Sequence, residues 1–188
     1  MSFGGLILAA GEGSRFGGTK QLAVLRGRTL LSYAVDAMLA VPPISPVVAV
    51  LGHDADAIRS AVDFGAAETV VCDRWHEGQS ASLRCGIEAL GDVEAAVITL
   101  GDQPLITPQV IAATLDWDLD YYDAVRTTYG GAPGHPVVLT RRALERADGL
   151  RGDRGFRDLF YGLRVKTFEA GHLCDPTDID TREELAER

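Results

Sequence analysis

Residues 6–20 read Leu-Ile-Leu-Ala-Ala-Gly-Glu-Gly-Ser-Arg-Phe-Gly-Gly-Thr-Lys, an apolar run that turns abruptly into a glycine-rich stretch ending in a lysine. Phe3 and Leu6 to Ala10 carry no turn residue, which predicts a strand buried on both faces of a parallel sheet. Beyond it, Gly11, Gly13, Gly17 and Gly18 supply backbone that can take positive φ and come close to a ligand, with N–H groups available to phosphate oxygens. Arg15 adds a fixed positive charge and Lys20 a mobile one. Together these are the parts of a loop that holds a polyphosphate.

Two familiar glycine loops do not fit this spacing. A P-loop closes on Gly-Lys-Ser/Thr, whereas Lys20 comes late and is followed by Gln21. A dinucleotide fingerprint needs a third glycine opening a helix, where this chain has Phe16, and an acidic residue about 20 positions on. A glycine-rich surface loop with incidental basic residues is the competing reading.

Outward from the loop, Leu30, Leu31, Ala34, Val35, Met38 and Leu39 recur at helical spacing after Thr29, predicting a capped helix that stops before Pro42-Pro43. Val47 to Leu51 reads as a second buried strand, Asp54 to Val62 as a helix, Thr69 to Cys72 as a short strand, Ser80 to Leu90 as a helix and Ala95 to Leu100 as a fourth strand. Thr107-Pro108 has cap and first-turn order for another helix. Asp123 to Thr128 and Pro136 to Leu139 read as strands around a Gly130–Gly134 turn, Arg164 to Phe168 as a strand and Thr181 to Glu187 as a closing helix. This alternation predicts an α/β fold, a doubly wound and mostly parallel sheet with helices on both faces, forming a single domain over residues 1–188. Ligands of such sheets sit outside the carboxyl ends of the strands, where the glycine loop and the segment after Leu100 both lie.

The 188 residues carry 18 basic and 27 acidic side chains, a net charge of −9 that argues against a broad nucleic-acid surface. An anionic ligand therefore needs a local site. No membrane-length apolar run and no leader pattern is present, so the expected location is the cytoplasm. Cys72, Cys85 and Cys174 have no metal or redox spacing and read as buried or free thiols in a reducing compartment. Trp75 and Trp117 read as packing residues, with base stacking the alternative.

Asp102, in Gly101-Asp102-Gln103-Pro104, follows the fourth strand and should present its carboxylate beside the glycine loop. A hard oxygen ligand next to polyphosphate implies Mg²⁺, which takes one or two protein carboxylates and keeps several waters. Asp178 and Asp180, two apart before a helix, read as a second metal carboxylate or as helix caps in the manner of a capping box with Glu183. Ser80 and Ser82 open a helix whose N-terminus suits an anion or a base edge, with Ser80 alternatively a plain cap. His135 reads as an acceptor contact or a backbone-bonded turn residue, and Asp153 as a substrate contact or a cap.

Leu8-Ala9-Ala10-Gly11-x-Gly13-Ser14-Arg15 with Lys20 resembles the opening motif of nucleotidyltransferases, Leu-Ala-Ala/Gly-Gly-x-x-x-Arg-Met-Gly-x-x-Lys, with Phe16 in place of Met. Leu100-Gly101-Asp102-Gln103-Pro104, Asp73-x-Trp75-x-x-Gly78-x-Ser80-x-Ser82-Leu83, Gly134-His135-Pro136-Val137, Gly152-Asp153-x-Gly155 and Asp178-Ile179-Asp180-Thr181-x-Glu183-x-Leu185 extend the resemblance over nearly the whole chain. The family they resemble is the molybdenum cofactor cytidylyltransferases, a branch of the MobA-like NTP transferases. Asp73 stands where that family often has Asn, and Arg182 where it usually has Pro.

The resemblance implies a nucleotide-diphospho-sugar transferase-like fold and transfer of CMP from CTP to a phosphorylated acceptor, molybdopterin or molybdenum cofactor, releasing pyrophosphate. Ala10 resembles pyrimidine-using members, since guanylyl-using relatives tend to have Gly there. In this scheme Arg15, Lys20 and Asp102 are catalytic; Leu8, Ala9, Ala10, Gly11, Gly13, Ser14, Ser80 and Ser82 join them in holding the nucleotide. Asp102, Asp178 and Asp180 serve Mg²⁺, while His135 and Asp153 face the acceptor. The phosphate acceptor is already an anion, so alignment and charge neutralisation suffice without a side-chain nucleophile. A sugar phosphate or other phosphate ester as acceptor, GTP as donor, and a non-catalytic nucleotide-binding accessory protein remain alternatives.

Overall fold

The computed structural model describes residues 1–152 and 158–188. The main sheet has seven strands: β1 (Phe3–Ala9), β4 (Ile44–Leu51), β5 (Glu68–Val71), β6 (Ala95–Leu100), β7 (Ala124–Tyr129), β8 (Ala132–Thr140) and β9 (Val165–Glu169). Their order is β5-β4-β1-β6-β8-β7-β9, and β2 (Val24–Leu25) and β3 (Arg28–Thr29) form a small antiparallel ribbon beside it. Only β8 runs against its neighbours in the main sheet; β1 pairs in parallel with both β4 and β6.

Because β1 is central and apolar throughout, successive residues feed two different cores. Ile7 and Ala9 join Leu31, Val35, Met38, Ile58, Val110 and Ile111, from α1 (Leu30–Leu39), α2 (Ala55–Ala61) and α4 (Pro108–Ala113), on one face. Leu6 and Leu8 join Leu83, Leu90, Ala143 and Leu144, from α3 (Gln79–Leu90) and α5 (Arg141–Leu144), on the other. Gly86 lets α3 lie close on the sheet, since a Cβ there would come within 2.8 Å of Leu6 and Val50. Truncating a fully buried residue such as Leu83 to Ala should cost about 2–5 kcal/mol.

The caps agree with the sequence: the Thr29 hydroxyl accepts from Ser32 N–H and the Thr107 hydroxyl from Val110 N–H, with Pro108 in the first helical turn. Three expectations are corrected. The turn between β7 and β8 is Gly130-Gly131 alone, both at positive φ, and Glu169 accepts from both of their N–H groups; residues 132–134 are already strand. Cys72 and Cys85 are not thiols but a disulfide, because the end of β5 and the second turn of α3 bring their Cα atoms to 5.8 Å. The closing helix α6 (Arg182–Ala186) takes its capping box from Thr181 and Glu184, one residue beyond the expected pair. No helix among the described residues is long and apolar enough to cross a membrane.

Candidate active site

The glycine loop leaves β1 at the carboxyl edge of the sheet and is tied down by its own backbone and by one side chain. The Gly13 carbonyl accepts from the N–H groups of Phe16 and Gly17 at 2.9 and 3.2 Å. Gly13 has φ 67°, and a Cβ there would stand 2.8 Å from the Gly18 carbonyl, so this position requires glycine. Gly17 is also at positive φ, whereas Gly11 and Gly18 are not. The buried Gln21 donates from Nε2 to the carbonyls of Ala9 and Gly11, both at 2.8 Å, clamping the strand end to the loop. In the sequence Gln21 marked only the failure of a P-loop pattern; nothing signalled this role.

Phe16 anchors the far side of the loop by packing with Leu25, Leu30 and Ile179. Arg182 lies over the Phe16 ring at 5.3 Å and donates to its carbonyl. The departure from proline at this position thus supplies a tie between the loop and the C-terminal segment. That segment is fixed in turn by Ile179 N–H donating to the Asp102 carbonyl at 3.1 Å and by Gln103 Nε2 donating to Pro176 at 3.0 Å. Asp102, from the middle of the chain, is thereby drawn together with Asp178 and Asp180, from near its C-terminus.

At their meeting point Lys20 Nζ lies 2.6 Å from Asp102 Oδ2 and 2.8 Å from Asp180 Oδ1, and Arg15 reaches Asp180 Oδ2 at 2.8 Å. Burial by itself would depress the Lys20 ammonium, but Asp102 and Asp180 together outweigh it and its pKa is raised. The hydrogen bond from Lys20, with the charges of Lys20 and Arg15, overcomes desolvation and lowers the pKa of Asp180. Asp178 moves the other way: burial, then the charge of Asp102, then that of Asp180 raise its pKa, against a hydrogen bond from Gln103 and the charge of Lys20.

The shifted capping box matters here. Glu184 accepts from the N–H groups of Asp180 and Thr181, so the carboxylate of Asp180 is not spent on the helix. Asp102 Oδ1 is buried and meets no hydrogen-bond partner among the described residues. Those residues contain no preformed cluster of three metal-ligating side chains. A pair of carboxylates already converging on one cation, with an unsatisfied oxygen beside them, fits a hard divalent ion that completes its shell with water and phosphate.

Three cavities adjoin along this edge. The first, about 390 Å³, is lined by Leu8, Ala9, Gly11, Gly13, Ser14, Arg15, Phe16, Lys20, Gln21, Gly101, Asp102 and Asp180. The second, about 410 Å³, shares Leu8, Gly11 and Asp102 with it and adds Ala10, Trp75, Gly78, Gln79 and Ser82. The third, about 710 Å³, contains Gln103, Arg126, His135, Phe160 and Asp178. Trp75 thus lines a cavity as well as packing edge-on against His53, while Trp117 packs against Phe168.

One predicted nucleotide contact is placed differently. Gly78 and not Ser80 precedes α3, and the Ser80 hydroxyl donates to the Gly152 carbonyl, outside the described lining of these three cavities. Asp153 lies outside the described residues. His135 sits in β8 with Nε2 buried; burial lowers its pKa to about 4 against the opposing charge of Asp102, so the ring is neutral at pH 7. Its carbonyl accepts from the Tyr129 hydroxyl at 2.6 Å.

Residues 5–167 match the MobA-like NTP transferase domain. The chain belongs to this family of nucleotidyltransferases. Among curated family relatives, 2-C-methyl-D-erythritol 4-phosphate cytidylyltransferase of Cereibacter sphaeroides is 35% identical over 188 residues, covering 94% of this chain and 79% of its own. The bifunctional protein GlmU of Mycobacterium avium is 30% identical over 176 residues; the match covers 84% of this chain but only 36% of GlmU. The crystal structure of Rv0371c from Mycobacterium tuberculosis H37Rv superposes with a TM-score of 0.88 at 27% identity, covering 100% of this chain and 96% of that one. A second Rv0371c structure, a complex with manganese, has a TM-score of 0.83 at 25% identity, covering 100% and 97%. The fold is of the nucleotide-diphospho-sugar transferase type.

Proposed function

We propose that this protein transfers CMP from CTP to the phosphate of a small acceptor, releasing pyrophosphate. The observation that supports this reading is the continuity of the first two cavities through Leu8, Gly11 and Asp102, which would offer a triphosphate and its base one unbroken bed. The loop N–H groups would receive the phosphates, and the backbone of Ala10 and Gly11 with Ser82 would face the base. Arg15, 75% exposed at its side chain, is free to leave Asp180 for the outgoing phosphates. Lys20, held near the junction of the two cavities, would balance charge growing between the α-phosphate and the attacking oxygen. Asp102 and Asp180 would hold Mg²⁺ or Mn²⁺, which when bound supplies positive charge to the phosphates. Asp178 would stand behind them, bonded to Gln103.

For the acceptor we propose molybdopterin or molybdenum cofactor, supported by the Gly134-His135-Pro136-Val137 and Asp178-to-Leu185 motifs. A polyol phosphate is the second reading, favoured by the 35% identity to the methylerythritol phosphate enzyme. Thermal unfolding with each of four nucleoside triphosphates and Mn²⁺ tests the donor: a ligand at 100 times its Kd adds about 2.7 kcal/mol of stability. CTP should protect most. Pyrophosphate release with CTP and each acceptor then separates the two readings, and absence of protection by any nucleotide would overturn the function.

A further inference from the structure

Along β7, Val125 and Tyr129 join the core under α1, α2 and α4, while Ala124 belongs to the core under α3 and α5. By strand alternation Arg126 shares the face of Ala124, which is fully buried in that core. Arg126 is half-buried, its Nε is buried without a hydrogen-bond partner among the described residues, and no ion pair among those residues includes it. Its guanidinium lies 5.1 Å from the centroid of the Phe160 ring. Such a contact recovers only part of what a partly desolvated, unpaired charge costs. Packing alone gives no reason for an arginine here.

A reason appears in the third cavity, which Arg126 lines with Leu100, Phe160 and Val137 and which shares Gln79 and Leu100 with the second. His135 is neutral at pH 7, so among the described lining residues Arg126 is the cation of this compartment. Leu100, Val137 and Phe160 give this cavity an apolar stretch of wall that strengthens a charge pair formed against it, although Asp178 lines the cavity too, and the planar guanidinium fork matches the two oxygens of a phosphate or carboxylate.

We propose that Arg126 is the residue that recognises the acceptor, receiving an anionic oxygen group of that molecule while its body lies against Phe160 and Leu100. The word acceptor rests on the nucleotidyltransferase reading of the neighbouring cavities; the anion-binding role of Arg126 does not.

Calorimetric titrations of the full chain with glycerol 3-phosphate and with glycerate, which differ in the anionic group, test this in the wild type, Arg126→Gln and Arg126→Lys. Each is run alone and with the loop saturated by α,β-methylene-CTP. Arg126→Gln should weaken one of the two anions at least about tenfold, the loss expected for a charge-assisted pair, and Arg126→Lys severalfold. Affinity for the nucleotide analogue should stay within about twofold. Dependence of glycerol 3-phosphate alone on Arg126 identifies a phosphate group, and dependence of glycerate alone a carboxylate. Unchanged binding of both anions overturns the proposal, as does equal loss of anion and nucleotide, which marks a structural role. If Arg126→Gln does not fold, Arg126→Lys decides by the same comparison. A wild type that binds anion through Arg126 but no nucleotide would keep this inference and sink the proposed function.

Discussion

Lys20 Nζ stands 2.6 Å from Asp102 Oδ2, and the same ammonium reaches Asp180, 160 residues further along the chain. One cation therefore occupies the space between two carboxylates, the pair proposed above to hold a divalent ion. If Asp102 and Asp180 hold a metal as proposed, Lys20 would compete with it for those oxygens until a phosphate drew the lysine away. Lys20→Ala should cut turnover about 10²-fold or more, the usual loss of a donor at developing charge. In the absence of nucleotide it should bind Mn²⁺ more tightly than the wild type, read as loss of the free-ion signal in electron paramagnetic resonance. Weaker Mn²⁺ binding would show that Lys20 supports the metal site instead of occupying it.

The three carboxylates should separate in a titration of rate against Mg²⁺. Asp102→Asn and Asp180→Asn are expected to shift the curve to higher concentration and lower its plateau. Asp178→Asn should move it little, because Asp178 faces carboxylates and a Gln103 bond. An acid whose folded pKa is raised weakens the fold once the pH exceeds its unfolded value. Asp178→Asn should therefore leave the melting temperature at pH 7 unchanged or higher, whereas equal damage from all three substitutions would remove the distinction.

Gln21→Leu keeps an apolar stem but strips two hydrogen bonds from the carbonyls of Ala9 and Gly11. Leaving such groups unpaired costs about 1–3 kcal/mol, readable in urea unfolding, and the loosened loop should bind nucleotide less well. Gly13→Ala should impair nucleotide binding more, since neither its φ nor the 2.8 Å approach to the Gly18 carbonyl suits a side chain. Wild-type nucleotide affinity in both variants would mean that the loop's shape is held by other contacts.

His135 carries a sign that can be checked. Its folded pKa, about 4, lies below the ordinary 6.5, so the unfolded chain takes up the proton first as the pH falls. Stability should drop from about pH 6.5 to about pH 4 and level off below. His135→Asn removes this contribution, and the wild type should lose stability relative to it over that window. Parallel melting curves for the two proteins from pH 7 to pH 4 would contradict a buried neutral ring.

The strands of the sheet's centre were legible because β1, β4 and β6 are short apolar runs bounded by glycine, proline or aspartate. Asp102 could be picked out because it follows such a strand almost directly, and Arg15 and Lys20 because they are the cations of the glycine-rich loop that β1 feeds. What escaped were relations between distant residues: the Cys72–Cys85 pairing, the hold of Gln21 on Ala9 and Gly11, and the bond from Lys20 to Asp180. The start of β8 was hidden for another reason. Ala132-Pro133-Gly134 has the composition of a turn, but Gly130-Gly131 with Glu169 turns the chain unaided. Arg126 drew no attention because a lone arginine in an apolar strand carries no local pattern.

The reversed direction of β8 divides the labour of the chain by segment. Parallel strands present only their carboxyl ends to the ligand edge, whereas β8 enters there with its first residues, placing Pro133, Gly134 and His135 against the third cavity. Among the described residues the second cavity is lined from residues 8–102, while most of the third is lined from residue 103 onward. On the proposed reading, donor and acceptor compartments can thus diversify largely apart, joined by the shared Gln79 and Leu100. A graft of the hairpin spanning residues 124–140 from a relative would exchange one wall of the chamber holding Arg126 without touching the glycine loop, which makes that hairpin the natural unit for redirecting the molecule toward a different acceptor.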